Sequence, residues 1–327
     1  MKVTRQELQQ LYDTKKSKFE RNCKNVEDAL KIFLIENKIP FLSVYSRVKD
    51  FDSFYEKLEK KNYKDPFIEN EDFCGVRIIL YFNEDIERVN TLIENEFKVI
   101  EHVNKSENLE PNVFGYRSYH HIVKLKDDWL QSPNYRGLNN IKTEIQVRTI
   151  LMHTWAEIEH KLGYKNKNQV PKELKRKLYF LSALLEQTDE QFQDLKNKIE
   201  NYTTAVIEKA TESGEFTFKE FNLNTLQAFL DYYFPNYEKN PGMLANLFED
   251  IISKEIQPET LIDYAQKIKP YVHELNNLVK NNSSLKITQS NILFYCIDLF
   301  NSKSDYKLHS YSRQTVIKKL KQIMDTK

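Results

Sequence analysis

Cysteine is scarce: Cys23, Cys74 and Cys296 are the three in 327 residues, and they stand far apart with no CxxC pair. That spacing argues against a disulfide framework and against a thiolate zinc site, and it fits a reduced cytoplasm. Net charge is nearly absent too, with 49 Lys and Arg against 48 Asp and Glu. No global field therefore draws the chain onto DNA or an acidic membrane, and any site for a polyanion has to be local. The N-terminus opens on charged residues, and no apolar run approaches the roughly 18 residues of a membrane span. Neither secretion nor anchoring is expected. Repeats, low-complexity tracts and the zincin pattern HExxH are missing as well. What is present is 40% hydrophobic residues with 13% aromatics, enough to pack the cores of two domains.

Periodicity divides the chain. Residues 1–38 read as helical, with Val26, Leu30 and Phe33/Leu34 at helical spacing behind Asn25, a candidate N-cap. Between about 42 and 150, strand-like runs (42–49, 75–82, 97–103, 116–125, 142–148) alternate with helix-like ones (51–61, 86–96). The expected fold is therefore α/β, a mixed sheet flanked by helices. After Pro171 the pattern is helical. Leu174, Leu178, Leu181, Leu185, Thr188, Phe192, Leu195, Ile199, Tyr202 and Val206 recur at steps of four and three, a seam that calls for a partner helix in the same chain or in a second subunit. Thr211-Glu-Ser-Gly-Glu reads as a linker, followed by helical patterns near 223–234, 243–254, 258–280, 288–301 and 313–325. The expected organisation is a domain over 1–210 and an all-helical one over 211–327, with residues 172–206 as a possible homo-oligomer contact.

Chemistry concentrates in the α/β part. Side chains two apart on a strand share a face, so Arg47 and Lys49 point together, as do Tyr116, Ser118 and His120, and Glu144, Gln146 and Arg148. Alternation alone describes any sheet with a solvated side. The mixture is less ordinary: paired cations, an aromatic ring beside a histidine, and a carboxylate beside an arginine. Phosphate transfer needs that set, with cations for the polyphosphate, hard oxygen ligands for magnesium and a ring for a base. Asp72 lies just before one strand and Glu144 within another, so the two could share one metal. Ser53 and Lys57, four apart at the start of a helix, could face one ligand, aided by the free N–H groups of that first turn. His153, Glu157 and His160 fall on one helical face, but without HExxH a packing role for that helix, around Trp155, is expected in place of a metal site.

Five blocks in order, Arg47-Val-Lys49, Asp72-Phe-Cys-Gly75-Val-Arg77, Gly115-Tyr116-Arg-Ser118-Tyr-His120, Glu144-Ile-Gln146-Val-Arg148-Thr149 and His153-Thr-Trp155-Ala-Glu157-Ile-Glu159-His160 with Tyr164-Lys165, resemble the RelA/SpoT synthetase domain across roughly residues 40–170. The resemblance implies an ATP-dependent pyrophosphotransferase acting on GTP or GDP with magnesium. Arg47 and Arg77 would bracket adenine, and Lys49, Ser53 and Lys57 would hold the ATP phosphates. Asp72 would bind the metal, and Glu144 would complete the metal site or take the proton of the acceptor 3′-hydroxyl. Tyr116 would stack on guanine, with Ser118, His120, Gln146 and Arg148 on the acceptor side. No His-Asp dipeptide occurs, so the hydrolase half of the long family members is not expected. One position departs from the pattern: Asn112 stands where alarmone-making members carry a basic residue, with Lys105 or Arg117 as possible substitutes. The resemblance thus leaves two alternatives open, a toxin-like relative that modifies the 3′ end of tRNA under restraint by its C-terminal segment, and an inactive nucleotide sensor.

Overall fold

The computed structural model describes residues 4–61, 63–104, 118–162, 171–282, 286–301, 304 and 310–326. The chain divides into two compact units, Met1–Leu195 and Lys196–Lys327.

Helix α1 (Arg5–Glu36) starts at Thr4, whose hydroxyl accepts the Glu7 N–H while the Glu7 carboxylate accepts the Thr4 N–H. This reciprocal cap satisfies two donors that a helix start leaves open. Asn25 is therefore not a cap but lies mid-helix, its side-chain amide donating to the Asn134 carbonyl. The apolar spacing continues upstream of it through Tyr12, Phe19 and Cys23, so nothing interrupts the helix there.

Five strands follow: β1 (Phe41–Val48), β2 (Cys74–Leu80), β3 (Lys98–Asn104), β4 (Tyr119–Lys124) and β5 (Thr143–Thr149). Between and after them come α2 (Phe51–Lys60), the short α3 (Pro66–Glu69), which the sequence did not announce, α4 (Glu84–Glu96), α5 (Ile150–Lys161) and α6 (Lys172–Ser213). The strands form one mixed sheet in the order β1-β2-β5-β4-β3. Only β2 and β5 run parallel, and they sit next to each other near its middle.

One face of the sheet is apolar. Val76, Ile78 and Leu80 of β2 and Ile145 and Val147 of β5 are fully buried against Leu30 and Leu34 of α1 and Val89 and Ile93 of α4. Each such side chain contributes on the order of 1.5–3 kcal/mol by leaving water. A second, aromatic cluster joins the N-terminal half of α1 to α2 through Tyr12, Phe19, Phe51, Phe54 and Phe73.

Helix α6 forms as expected, and much of its seam is exposed among the described residues, although Val206 packs against the core of the second unit. Leu174, Leu181, Phe192, Leu195, Ile199 and Tyr202 are exposed, whereas Ser182 and Asp189 are buried. The helix is tied down by a polar edge instead: the Thr149 hydroxyl at the end of β5 donates to Asp189.

The second unit is all helical, comprising the last part of α6, α7 (Leu223–Tyr233), α8 (Pro241–Ser253), α9 (Pro258–Ile268), α10 (Val272–Asn282), α11 (Gln289–Phe300) and α12 (Tyr311–Thr326). Its core gathers Leu226, Phe229, Leu247, Leu261, Leu275, Leu293 and Leu320. Asn222, Asn240 and Thr288 cap the starts of α7, α8 and α11. Buried Asp298 of α11 is matched by Arg313 of α12 at 2.6 Å.

Candidate active site

The opposite face of the sheet is polar, and the strand register explains how residues far apart in sequence meet there. Arg47 pairs with Gly75, which pairs in turn with Glu144. In the adjacent row Tyr45, Arg77, Gln146 and His120 lie side by side across four strands. A cavity of about 40 Å³ opens on this face, lined by the predicted residues Arg47, Lys49, Asp72, Arg77, Glu144 and Gln146 together with Tyr45 and Gly75. The glycine leaves the middle of the Arg47–Glu144 row empty, so the cavity exists because that position carries no side chain.

At one end sits Asp72, with Lys49 Nζ 2.6 Å from one carboxylate oxygen and Lys57 Nζ 2.9 Å from the other. Burial pushes this carboxyl toward protonation, but the hydrogen bond and charge of Lys49, reinforced by Lys57, outweigh it and hold the pKa below its ordinary value. Asp72 is thus kept ionised. At the other end Glu144 is oriented through both oxygens: His120 Nδ1 is 2.6 Å from Oε1, and Gln146 Nε2 donates to Oε2 at 2.9 Å. His120 is itself buried, with its Nε2 2.7 Å from the Ser118 hydroxyl. The Glu144 carboxylate therefore has a fixed direction before any substrate arrives.

Arg77 lies in the next row along the sheet, between Tyr45 and Gln146. Its Nε donates to Gln146 at 3.2 Å, and its Nη1 donates to the Tyr45 hydroxyl at 3.2 Å and to Glu157 of α5 at 2.6 Å. The guanidinium also lies over the Tyr45 ring, 5.9 Å from the centroid. Burial opposes ionisation of Glu157, and the Arg77 charge more than compensates, so that carboxyl lies below its usual range. His153 one turn away is lowered by burial, with Arg148 and Arg77 adding to the effect against Glu157.

Lys57, Ser118 and His120 do not line the cavity and reach it through Asp72 and Glu144, whereas Ser53 and Arg148 stand apart from it. Ser53 is exposed at the start of α2, and both its N–H (2.8 Å) and its hydroxyl (2.9 Å) donate to Asp50, so the N-cap carboxylate already occupies one of the N–H groups expected to be free for an anion. Arg148 is buried on the polar face and lies close enough to His153 and Glu157 to influence their charge, but it does not line the cavity. Tyr116 lies outside the described residues, as do Gly115, Lys105, Asn112, Arg117, Tyr164 and Lys165. Trp155 is buried, as its packing role requires.

Tyr45 and Glu157 were not singled out for the cavity from sequence. Tyr45 was within reach of the argument, since it sits two residues before Arg47 on the same strand face. Glu157 was not, because its pairing with Arg77 joins residues 80 positions apart.

The fold and cavity together define an α/β domain whose sheet face gathers carboxylates and cations. Residues 46–169 match the family described as "Region found in RelA / SpoT proteins". The chain is 34% identical over 173 residues to GTP pyrophosphokinase YwaC of Bacillus subtilis (strain 168), covering 51% of this chain and 79% of that protein. It is 31% identical over 179 residues to GTP pyrophosphokinase YjbM of the same organism, covering 54% and 82%. Among solved structures it is similar to small alarmone synthetase 1 from Bacillus subtilis bound to its product pppGpp, with a TM-score of 0.50 at 25% identity over 59% of this chain and 99% of that one. The chain belongs to the RelA/SpoT family of pyrophosphokinase-type enzymes.

Proposed function

We propose that this chain transfers the β,γ-pyrophosphate of ATP to the ribose 3′-hydroxyl of GTP or GDP and releases AMP. The observation that carries this reading is the single cavity in which two carboxylates, Asp72 and Glu144, meet Arg47, Lys49 and Arg77 on one sheet face. Arg47 and Arg77 would bracket adenine, while Lys49 and Lys57, now held on Asp72, and Ser53, now bonded to Asp50 outside the cavity, would take up phosphate oxygens. Asp72 and Glu144 line the same space and Asp72 is held ionised, so these residues fit magnesium, which would draw the rest of its oxygen shell from substrate and water. When bound, the ion supplies neutralisation of charge developing on the phosphate oxygens.

The acceptor oxygen attacks the β-phosphorus, the bond from that phosphorus to the α,β-bridging oxygen breaks, and AMP leaves with that oxygen. Glu144, oriented by His120 and Gln146, takes the hydroxyl proton. Ser118, Arg148 and Tyr116 would complete the acceptor side, with Tyr116 stacking on guanine. Alignment and preorganised charge are what these side chains contribute. The reaction belongs in the cytoplasm, with the helical second unit as a regulator and the exposed seam of α6 as the contact through which a second copy would pair.

A second reading follows from Asn112, which stands where relatives that make alarmones carry a basic residue: the acceptor would be the 3′ end of tRNA. Purified chain is incubated with γ-labelled ATP and magnesium and offered GTP, GDP or deacylated tRNA. Label on GTP or GDP is the expected result. Label on tRNA alone would replace the first reading with the second, and bound ATP with no labelled acceptor would make the chain a nucleotide sensor.

A further inference from the structure

A second cleft of about 960 Å³ lies elsewhere in the first unit, between the N-terminal half of α1, the outer side of α2, α3 and the loop before β5. Its volume falls within the range of small-molecule sites. It shares no lining residue with the cavity described above.

The feature that points to a ligand is Asn70. This side chain lines the cleft at 2% exposure, and neither its amide nitrogen nor its carbonyl oxygen has a hydrogen-bond partner among the described residues. An unpaired buried amide is costly, because both its polar groups have given up water without a replacement. Other buried polar side chains in this unit, such as Asn22 and Ser118, make at least one hydrogen bond. Asn70 presents a donor and an acceptor together, an edge complementary to a ring bearing the reverse pair, as the N6 and N7 positions of adenine do.

The walls match the rest of such a ligand. Phe19, Phe73 and Phe67 line the cleft and run nearly parallel, Phe73 lying 4.5 Å from Phe19 at 7° and 5.7 Å from Phe67 at 11°. Phe19 and Phe73 are buried in this stack, so the wall left for a base is apolar ring edge together with the partly buried Phe67. Lys15 and Lys18 are one turn apart on α1, both line the cleft, and Lys15 already lies over the Phe67 ring at 5.6 Å. Lysines outnumber acidic residues in the lining, which leaves room for an anion.

We infer that this cleft binds an adenine mononucleotide, with the base edge on Asn70, the ring against the phenylalanine wall and the phosphate on Lys15 and Lys18. The same chemistry could come from free AMP or from a terminal adenosine of RNA.

The probes are AMP and a short oligoadenylate, measured by equilibrium dialysis on the full chain, with 8-azido-AMP as a photolabel. Wild type is expected to take up one more equivalent of AMP than Asn70→Leu, and the photolabel should fall on peptides spanning 55–73 or 137–142. Lys18→Ala should weaken the same equivalent about tenfold. Asn70→Leu should melt no lower than wild type, because it removes unpaired groups from a buried place, and this separates loss of binding from loss of fold. Tighter uptake of oligoadenylate than of AMP, abolished in Asn70→Leu, would assign the cleft to RNA. Equal AMP stoichiometry in the two proteins, or a photolabel confined to the strands of the sheet, would overturn the inference by leaving the cleft to water. That outcome would not touch pyrophosphate transfer, which the labelled-ATP assay reads separately.

Discussion

The same strands present two opposite environments. On one side of the sheet, β2 and β5 bury Val76, Ile78, Ile145 and Val147 against α1 and α4. On the other, the alternate positions of those strands hold Gly75, Arg77, Glu144 and Gln146 around a cavity. Because successive residues of a strand point to opposite sides, each segment fixes its packing and its chemistry at once. A shift of one residue in the β2–β5 register would exchange the two sets. The apolar side therefore acts as the register lock for the polar one, and each side should fail in its own way when disturbed.

The largest contrast is expected from Asp72→Asn and Glu144→Gln. Each should lower pyrophosphate transfer about 100-fold or more, since preorganised charge at the reacting centre is lost, with a melting temperature close to that of wild type. Collapse of the fold in either variant would move these residues to the structural side. On the packed side, Ile78→Ala should cost about 2–5 kcal/mol in urea unfolding, while activity per folded molecule is retained. A large loss of specific activity without a loss of stability would break the division between the faces.

A smaller effect comes from His121, a polar residue on the packed side. It is fully buried, with its Nε2 2.9 Å from the side-chain Oδ1 of Asn90 and its ring stacked on His102 at 4.4 Å. Burial, with repulsion from His102 and His120, lowers its pKa from 6.5 to about 4. Between those values the unfolded chain holds the extra proton and the folded chain does not, so stability should fall as pH drops through that window. Unfolding curves at pH 7, 5.5 and 4 read the slope, which should flatten in His121→Gln. An unchanged slope would remove His121 as its source.

Gly75→Val tests the cavity itself. A Cβ there meets nothing closer than Arg47 at 3.9 Å, so the fold should persist within about 1 kcal/mol, as for a surface change. The branched side chain would occupy the space between Arg47 and Glu144 and should cut transfer about tenfold, by roughly the free energy of one displaced polar contact. The smallest effect should be that of Glu157→Gln, which loosens Arg77 and is expected to raise the KM for ATP a few-fold with kcat little changed. A fall in kcat alone would place Glu157 on the reacting atoms.

Much of this molecule was readable from its sequence, for definite reasons. The strands were recognisable as short strand-like runs and α4 and most helices of the second unit by apolar spacing, but the single pattern over 258–280 is two helices, α9 and α10, parted at Lys269-Pro270-Tyr271. Asp72 and Glu144, which line one cavity, could be singled out because residue type and motif order mark them. The false cap at Asn25 arose because one polar residue before an apolar run looks the same inside a helix as at its start. Short α3 escaped because four residues carry no period. The α6 seam was visible, but not that the chain would tie the helix down through Asp189 and leave much of the seam exposed.

By itself the sequence determined which residues share a strand face and which segments are helices, because both periods are local properties of the backbone. Only the tertiary structure decided which strands are neighbours. That order brings Glu144 beside Gly75, ties Arg77 to Glu157 and leaves Asn70 in a cleft without a partner among the described residues. Strand order and register come from the packing of whole faces, which depends on every buried side chain together, and no short stretch of sequence contains it.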